Sequence, residues 1–200
     1  IESWRTWRGP CSSSRSYAAR RRSPSAGTLP RFATAAGLTI EQVAALRIYT
    51  TAAFRSINDP LRDTARRERN EPHPLPLTCS LVDIAVGKLR AIGAYSEHAS
   101  DAIDLWRGLK NVKVPDAFLT RGGTELAPMS TTNDLKVAIR YGATGDECIL
   151  LKLRTRSSME RGADLTYLSA FPGEREFLFK PLTFLQPVGA PKKLTLAGRA

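Results

Sequence analysis

Histidine and cysteine are scarce in this chain, and their scarcity removes whole classes of chemistry. His73 and His98 are the only histidines among 200 residues and stand far apart in sequence. A zinc site, or a Ser-His or Cys-His catalytic pair, therefore has few parts to build from. The three cysteines, Cys11, Cys79 and Cys148, are odd in number, widely spaced and without a Cys-x-x-Cys pair. They argue against a disulfide framework and leave a reducing intracellular compartment as the default. No apolar run has the length of a membrane helix, so the chain reads as soluble. Gly-x-Gly-x-x-Gly and the Walker loop are absent as well, which withholds support from Rossmann and P-loop nucleotide sites. Gly122-Gly123 alone is most simply a turn, and there is no internal repeat.

What is present suits one folded domain: 42% of the side chains are hydrophobic over 200 residues, enough for one core and hardly for two. A net charge of +11 invites a nucleic-acid reading, but the charge is unevenly spread. Residues 1–36 hold seven arginines against Glu2 alone, supplying +6 of the +11. This Ser- and Arg-rich stretch has no sustained apolar period and reads as a disordered basic arm or linker. Its composition also fits an organelle transit peptide, and an opening on Ile1 fits a fragment or a processed product. No motif with interleaved aromatics accompanies the arm, which argues against nucleic acid as partner.

The domain is expected over residues 37–200. Thr39 and Gln42 offer a capping box for a helix in which Val43, Leu46, Ala53 and Ile57 recur at helical spacing, ended by Asn58-Asp59-Pro60. A charged helical piece over Arg62 to Arg69 and a helix capped by Ser80 and Asp83 follow. After Ser100 the texture changes to short strand-like runs: Ala102 to Trp106, Thr124 to Met129, Cys148 to Leu153, Tyr167 to Phe171, Glu174 to Phe179 and Leu182 to Gln186. Thr132-Asn133-Asp134 opens one short helix that stops at Gly142. Helices first and strands later, without βα alternation, indicate an α+β fold.

Three stretches of the strand-rich half carry candidate chemistry. Trp106-Arg107-Gly108 closes a strand, where an arginine can clamp phosphate and a glycine lets a ligand approach the backbone. A surface arginine before a turn fits as well. Pro128 to Thr132 ends another strand with three hydroxyls, suited to a carboxylate or a ribose, or to capping of the next helix by Thr132 or Asn133. In Phe171-Pro172-Gly173-Glu174-Arg175-Glu176, strand alternation puts both glutamates on one face. Like charges there repel, a cost that a merely structural strand need not carry, although an exposed strand end also accommodates them.

Arg107, Ser130-Thr131-Thr132 and Glu174-Arg175-Glu176, in that order, resemble the arginine, Ser-Thr-Ser and Glu-x-Glu signature of arginine-specific mono-ADP-ribosyltransferases. Thr132 stands where serine is commonest. Tyr49-Thr50 and Ile57 to Arg62 are similar to that family's helical lobe, so the resemblance runs from about Leu38 to Pro187. It implies a helical N-terminal lobe packed on a mixed or antiparallel two-sheet β core. It also implies NAD as substrate with no metal, and an arginine-containing acceptor protein as partner. By the same resemblance Glu176 stabilises the ribosyl cation, Glu174 orients and deprotonates the acceptor, and Ser130 orients Glu176. Arg107, Gly108, Thr131, Thr132 and Tyr141 bind NAD, with Tyr141 over the nicotinamide or simply in the core. The segment Ala163 to Gly173 resembles a substrate-recognition loop in which Phe171 touches the acceptor or plugs the sheet. An NAD glycohydrolase, in which water replaces the acceptor, and a catalytically silent basic module binding nucleic acid or protein are the other functions these residues allow.

Overall fold

The computed structural model describes residues 31–96, 99–110, 112, 114–142, 148–171 and 173–192. His98 and the arm as far as residue 30 lie outside them. Residues read above as the end of the arm form helix α1 (Arg31–Ala35), with Ala33 buried.

Helix α2 (Ile40–Tyr49) begins as expected. The Gln42 N–H donates to Thr39 Oγ1, and the Gln42 side chain accepts from the Thr39 N–H. The helix stops before Ala53, however. The Thr50 and Thr51 hydroxyls donate to the Arg47 and Ile48 carbonyls, and Thr51 Oγ1 also accepts from the Ala53 N–H. These local side-chain bonds compete with continued helix. A separate helix α3 (Phe54–Arg62) follows, and Pro60 lies inside it rather than ending it. Asp63 then caps α4 (Thr64–Glu68) by accepting from the Arg66 N–H. Helix α5 runs Pro76–Gly93, opened by proline in its first turn, where the missing N–H costs nothing. Ser80 and Asp83 are thus interior to α5 rather than its cap, and Asp83 pairs with Lys180 at 3.1 Å.

The strand-rich half contains β1 (Ile103–Lys110), α6 (Asp116–Arg121), β2 (Gly123–Glu125), β3 (Met129–Thr132), α7 (Leu135–Gly142), β4 (Cys148–Thr155), β5 (Ala163–Asp164), β6 (Glu176–Phe179) and β7 (Thr183–Leu185). Every described pairing is antiparallel: a five-stranded sheet ordered β4-β1-β3-β6-β5 and a two-stranded sheet β2-β7. The fold is α+β with two sheets. The run Thr124 to Met129 is two strands of different sheets, broken where Glu125 Oε1 accepts from the Ala127 N–H and Pro128 has none to give. Tyr167 to Phe171 is not a strand. The Asp164 carboxylate accepts from Thr166, and the Leu165 carbonyl accepts from the Leu168 and Ser169 N–H groups, turning the chain back on itself.

The large sheet separates two apolar clusters by strand alternation. Leu178 and Ala163 face Leu46, Ile57, Val82 and Val86 of the helical lobe. Phe177 and Phe179 face the other way, with Leu105, Met129 and Leu185 of β7. Helix α7 lies directly on β1 at Gly108, where a Cβ would stand 2.0 Å from the Ala138 carbonyl oxygen and 2.7 Å from the Gly142 nitrogen. The glycine there makes room for a helix. Gly108→Ala forces α7 off the strand and is expected to lower unfolding free energy by about 1–3 kcal/mol, read as a lower urea midpoint at unchanged slope.

Candidate functional site

Alternation and register bring the site together. Trp106 pairs with Thr132, and Thr132 with Glu176, so these three share one face with Gly108 and Ser130. That face meets the helical lobe across a cleft of about 360 Å³. From the sheet it is bordered by Arg107, Gly108, Ser130, Thr131, Thr132 and Glu176; Tyr141, Phe171 and Glu174 complete its rim. All nine residues singled out from the sequence therefore line one cleft.

Their local geometry differs from expectation in three places. Trp106-Arg107-Gly108 lies in the middle of β1 rather than at its end. Glu174 does not share a strand with Glu176: β6 begins at Glu176, and Glu174 occupies a turn closed by its N–H donating to the Phe171 carbonyl at 3.0 Å. Gly108 is explained by the approach of α7, so its lack of a side chain is already used by packing.

Glu176 is partly buried, and its carboxyl is raised above its ordinary value. Burial is the main cause, and the nearby Glu174 charge adds to it. Hydrogen bonds from Ser130 and Ser169, and the positive charge of Arg107, work in the opposite direction. Arg107 donates from Nη1 to the Ser130 carbonyl at 2.6 Å, while its Nε is buried without a partner. Burial pushes this guanidinium below its usual range. A buried, orphaned donor of a partly buried cation in a cleft wall suits an anionic ligand group. Thr131 is buried and donates to the Phe177 carbonyl at 2.9 Å, and Thr132 Oγ1 accepts from the Asp134 N–H at 3.1 Å; α7 is capped not by Thr132 or Asn133 but by Asp134, whose Oδ1 accepts from the Lys136 N–H at 2.8 Å. Tyr141 donates to Glu174 Oε2 at 3.0 Å. Phe171 is 51% exposed at the rim, a position open to a partner and not that of a plug.

Sequence reasoning missed the opposite wall. Tyr49 of α2 donates to the Pro128 carbonyl at 2.9 Å, and buried Asn58 of α3 donates to the Tyr49 oxygen at 3.0 Å. Burial pushes the Tyr49 phenol up to about 12. Thr50 Oγ1 accepts from the Ala170 N–H at 2.9 Å, and Ser169 Oγ from the Phe171 N–H at 3.1 Å. The first of these bonds tethers the segment before the glutamates to the end of α2, and the second turns that segment locally. Ser169 was legible only as a hydroxyl within that segment. Among the described residues no cluster of His, Cys, Asp and Glu could hold a metal, and no helix is long and apolar enough to cross a membrane.

Comparison with known proteins bears on the fold. No family model and no curated protein matches the sequence. Solved structures do. A C3-type ADP-ribosyltransferase from Clostridium botulinum superposes with a TM-score of 0.54 at 21% identity, over 76% of this chain and 80% of its own. The eucaryotic mono-ADP-ribosyltransferase ART2.2 gives a TM-score of 0.55 at 18% identity, over 78% of this chain and 63% of its own. Exoenzyme S from Pseudomonas aeruginosa, solved with human 14-3-3 protein beta and Carba-NAD, gives 0.54 at 20%, over 73% of this chain and 64% of its own. The chain has the ADP-ribosyltransferase fold. Within that fold its cleft lies between the helical lobe and the five-stranded sheet, and the two glutamates stand at the entry to β6.

The raised Glu176 carboxyl has a consequence for stability. Its protonated form is favoured in the folded state, so the native state loses stability as pH rises through the raised value. Glu176→Gln is therefore expected to unfold at a higher temperature than the parent at neutral pH. The gain should vanish as pH falls below the ordinary carboxylate range, where both side chains are neutral, and thermal melts across pH measure it.

Proposed function

We propose that this chain is an NAD-dependent mono-ADP-ribosyltransferase that moves ADP-ribose from NAD to an arginine of an acceptor protein and releases nicotinamide. The observation that carries the reading is one cleft, in this fold, lined by Arg107, Ser130, Glu174 and Glu176 together. The Carba-NAD bound to the Exoenzyme S neighbour supports the choice of NAD.

The chemistry suits those side chains. The bond between ribose C1′ and the nicotinamide nitrogen breaks, its electron pair leaves with nicotinamide, and positive charge develops on the ribose as in glycoside hydrolysis. Glu176, ionised and held by Ser130, faces that charge in a site where burial strengthens the interaction. Arg107 offers its orphaned N–H to the diphosphate. A guanidinium nitrogen of the acceptor then forms the new bond to C1′ and gives up one proton, which Glu174 takes. Phe171 at the rim meets the acceptor.

NAD turnover with a free arginine analogue as acceptor tests this. Glu176→Gln is expected to lower transfer by about 10²–10³-fold, and Glu174→Gln by about 10²–10⁴-fold with a smaller loss of acceptor-free NAD hydrolysis. If both variants transfer as well as the parent, the site is misassigned; release of free ADP-ribose unchanged by acceptor would identify a glycohydrolase instead. The acid limb of kcat/KM belongs to Glu176, so activity should fall as pH drops through a value above the ordinary carboxylate range. Ser130→Ala, which removes a hydrogen bond to the ionised form, should move that limb to higher pH.

A further inference from the structure

Within the reaction proposed above, the carboxylate that accepts the guanidinium proton is not held by the sheet. Glu174 precedes β6, in a turn, with a half-exposed side chain. A carboxylate there retains rotamer freedom that a reaction needing both distance and direction cannot use. A different element restrains it: Tyr141 Oη donates to Glu174 Oε2 at 3.0 Å. Tyr141 sits in the last turn of α7, and α7 is seated on β1 by the close approach of Ala138 and Gly142 to Gly108.

We propose that Tyr141 is a positioning residue whose hydroxyl holds Oε2 of Glu174, leaves Oε1 for the acceptor nitrogen, and thereby sets the ratio of transfer to hydrolysis. This rests on the transferase reading. Water is abundant, can reach the ribose carbon from several directions, and can lose its proton to solvent. A guanidinium must be both oriented and deprotonated, so it suffers more when Glu174 wanders. The phenol is suited to the task because burial, followed by the charge and hydrogen bond of Glu174, pushes it up to about 12. It remains a donor wherever the carboxylate is ionised and does not compete for the proton. This role for the hydroxyl is separate from a contact between the ring and the nicotinamide, and one substitution divides the two.

Tyr141→Phe keeps the ring and removes the donor. In the full chain, hydrolysis of NAD without acceptor and transfer to agmatine are measured for the parent, Tyr141→Phe, Glu174→Gln and the double variant. The transfer-to-hydrolysis ratio is expected to fall about tenfold or more in Tyr141→Phe, as for loss of a hydrogen bond to a charged group. It should fall no further when Tyr141→Phe is added to Glu174→Gln, because the hydroxyl acts through that carboxylate. A ratio within about twofold of the parent, or an equal fall on the Glu174→Gln background, overturns the proposal. A parent chain that turns over no NAD overturns the transferase reading and this inference with it, an outcome distinct from an unchanged ratio.

Discussion

The Pro128 carbonyl is the polar joint on which the site depends. It accepts from Tyr49 and Asn58, residues 79 and 70 positions away in sequence, and it lies immediately before β3. Both donors come from the helical lobe, and all three residues border or adjoin the cleft. In such a low-dielectric setting a made hydrogen bond is strong and an unmade one is costly. The joint thus fixes how far α2 and α3 stand from the sheet, and with it the width of the space above Ser130 and Glu176. The apolar packing of Leu46 and Ile57 against Leu178 draws the layers together, but it is non-directional and sets no such distance.

A second dependence runs through Gly108. Because β1 has no side chain there, the backbone of α7 descends onto the strand, and Tyr141 arrives at the height of Glu174. One cleft is therefore built from four independent restraints: the joint at Pro128, the Thr50 tether on Ala170, the register of β3 with β6, and the seat of α7. Each comes from a residue whose own chemistry is unremarkable. Their convergence makes the site.

Much of this was legible in the sequence where the signal is local. The Thr39-Gln42 capping box and the helix after Thr132 depend on neighbouring residues and form as read, and the run Glu174 to Phe179 forms a strand from Glu176 onward. Signals that depend on distant partners were lost. Asn58-Asp59-Pro60 reads as a helix stop, yet α3 continues through it with Asn58 buried against Tyr49. Tyr167 to Phe171 has the composition of a strand but is bent by Asp164 and the Leu165 carbonyl. The Glu-x-Glu spacing suggested one shared face, whereas the structure gives each glutamate its own restraint, a strand for Glu176 and a tyrosine for Glu174. Of the opposite wall, Tyr49, Thr50 and Asn58 were legible only as part of a helical lobe and not as cleft residues, because helix residues facing a cleft look like helix residues facing a core.

The electrostatics of the cleft explain why such residues are tolerated. Burial works against the charge of Glu176 and against the charge of Arg107, and in both cases it outweighs every other influence. Their attraction for each other is the weakest of the effects on either group, so they do not form a pair that would repay the desolvation of both. A fold selected for stability alone would replace one of them or bring them into contact. Holding a desolvated cation and a desolvated anion apart across one cleft makes sense if a third body satisfies both. A dinucleotide that is anionic at its diphosphate and becomes cationic at its ribose as the nicotinamide leaves has that distribution of charge. In the proposed reaction such a ligand would relieve the desolvation at Glu176 most when the ribose is most positive, which is the transition state rather than the bound substrate.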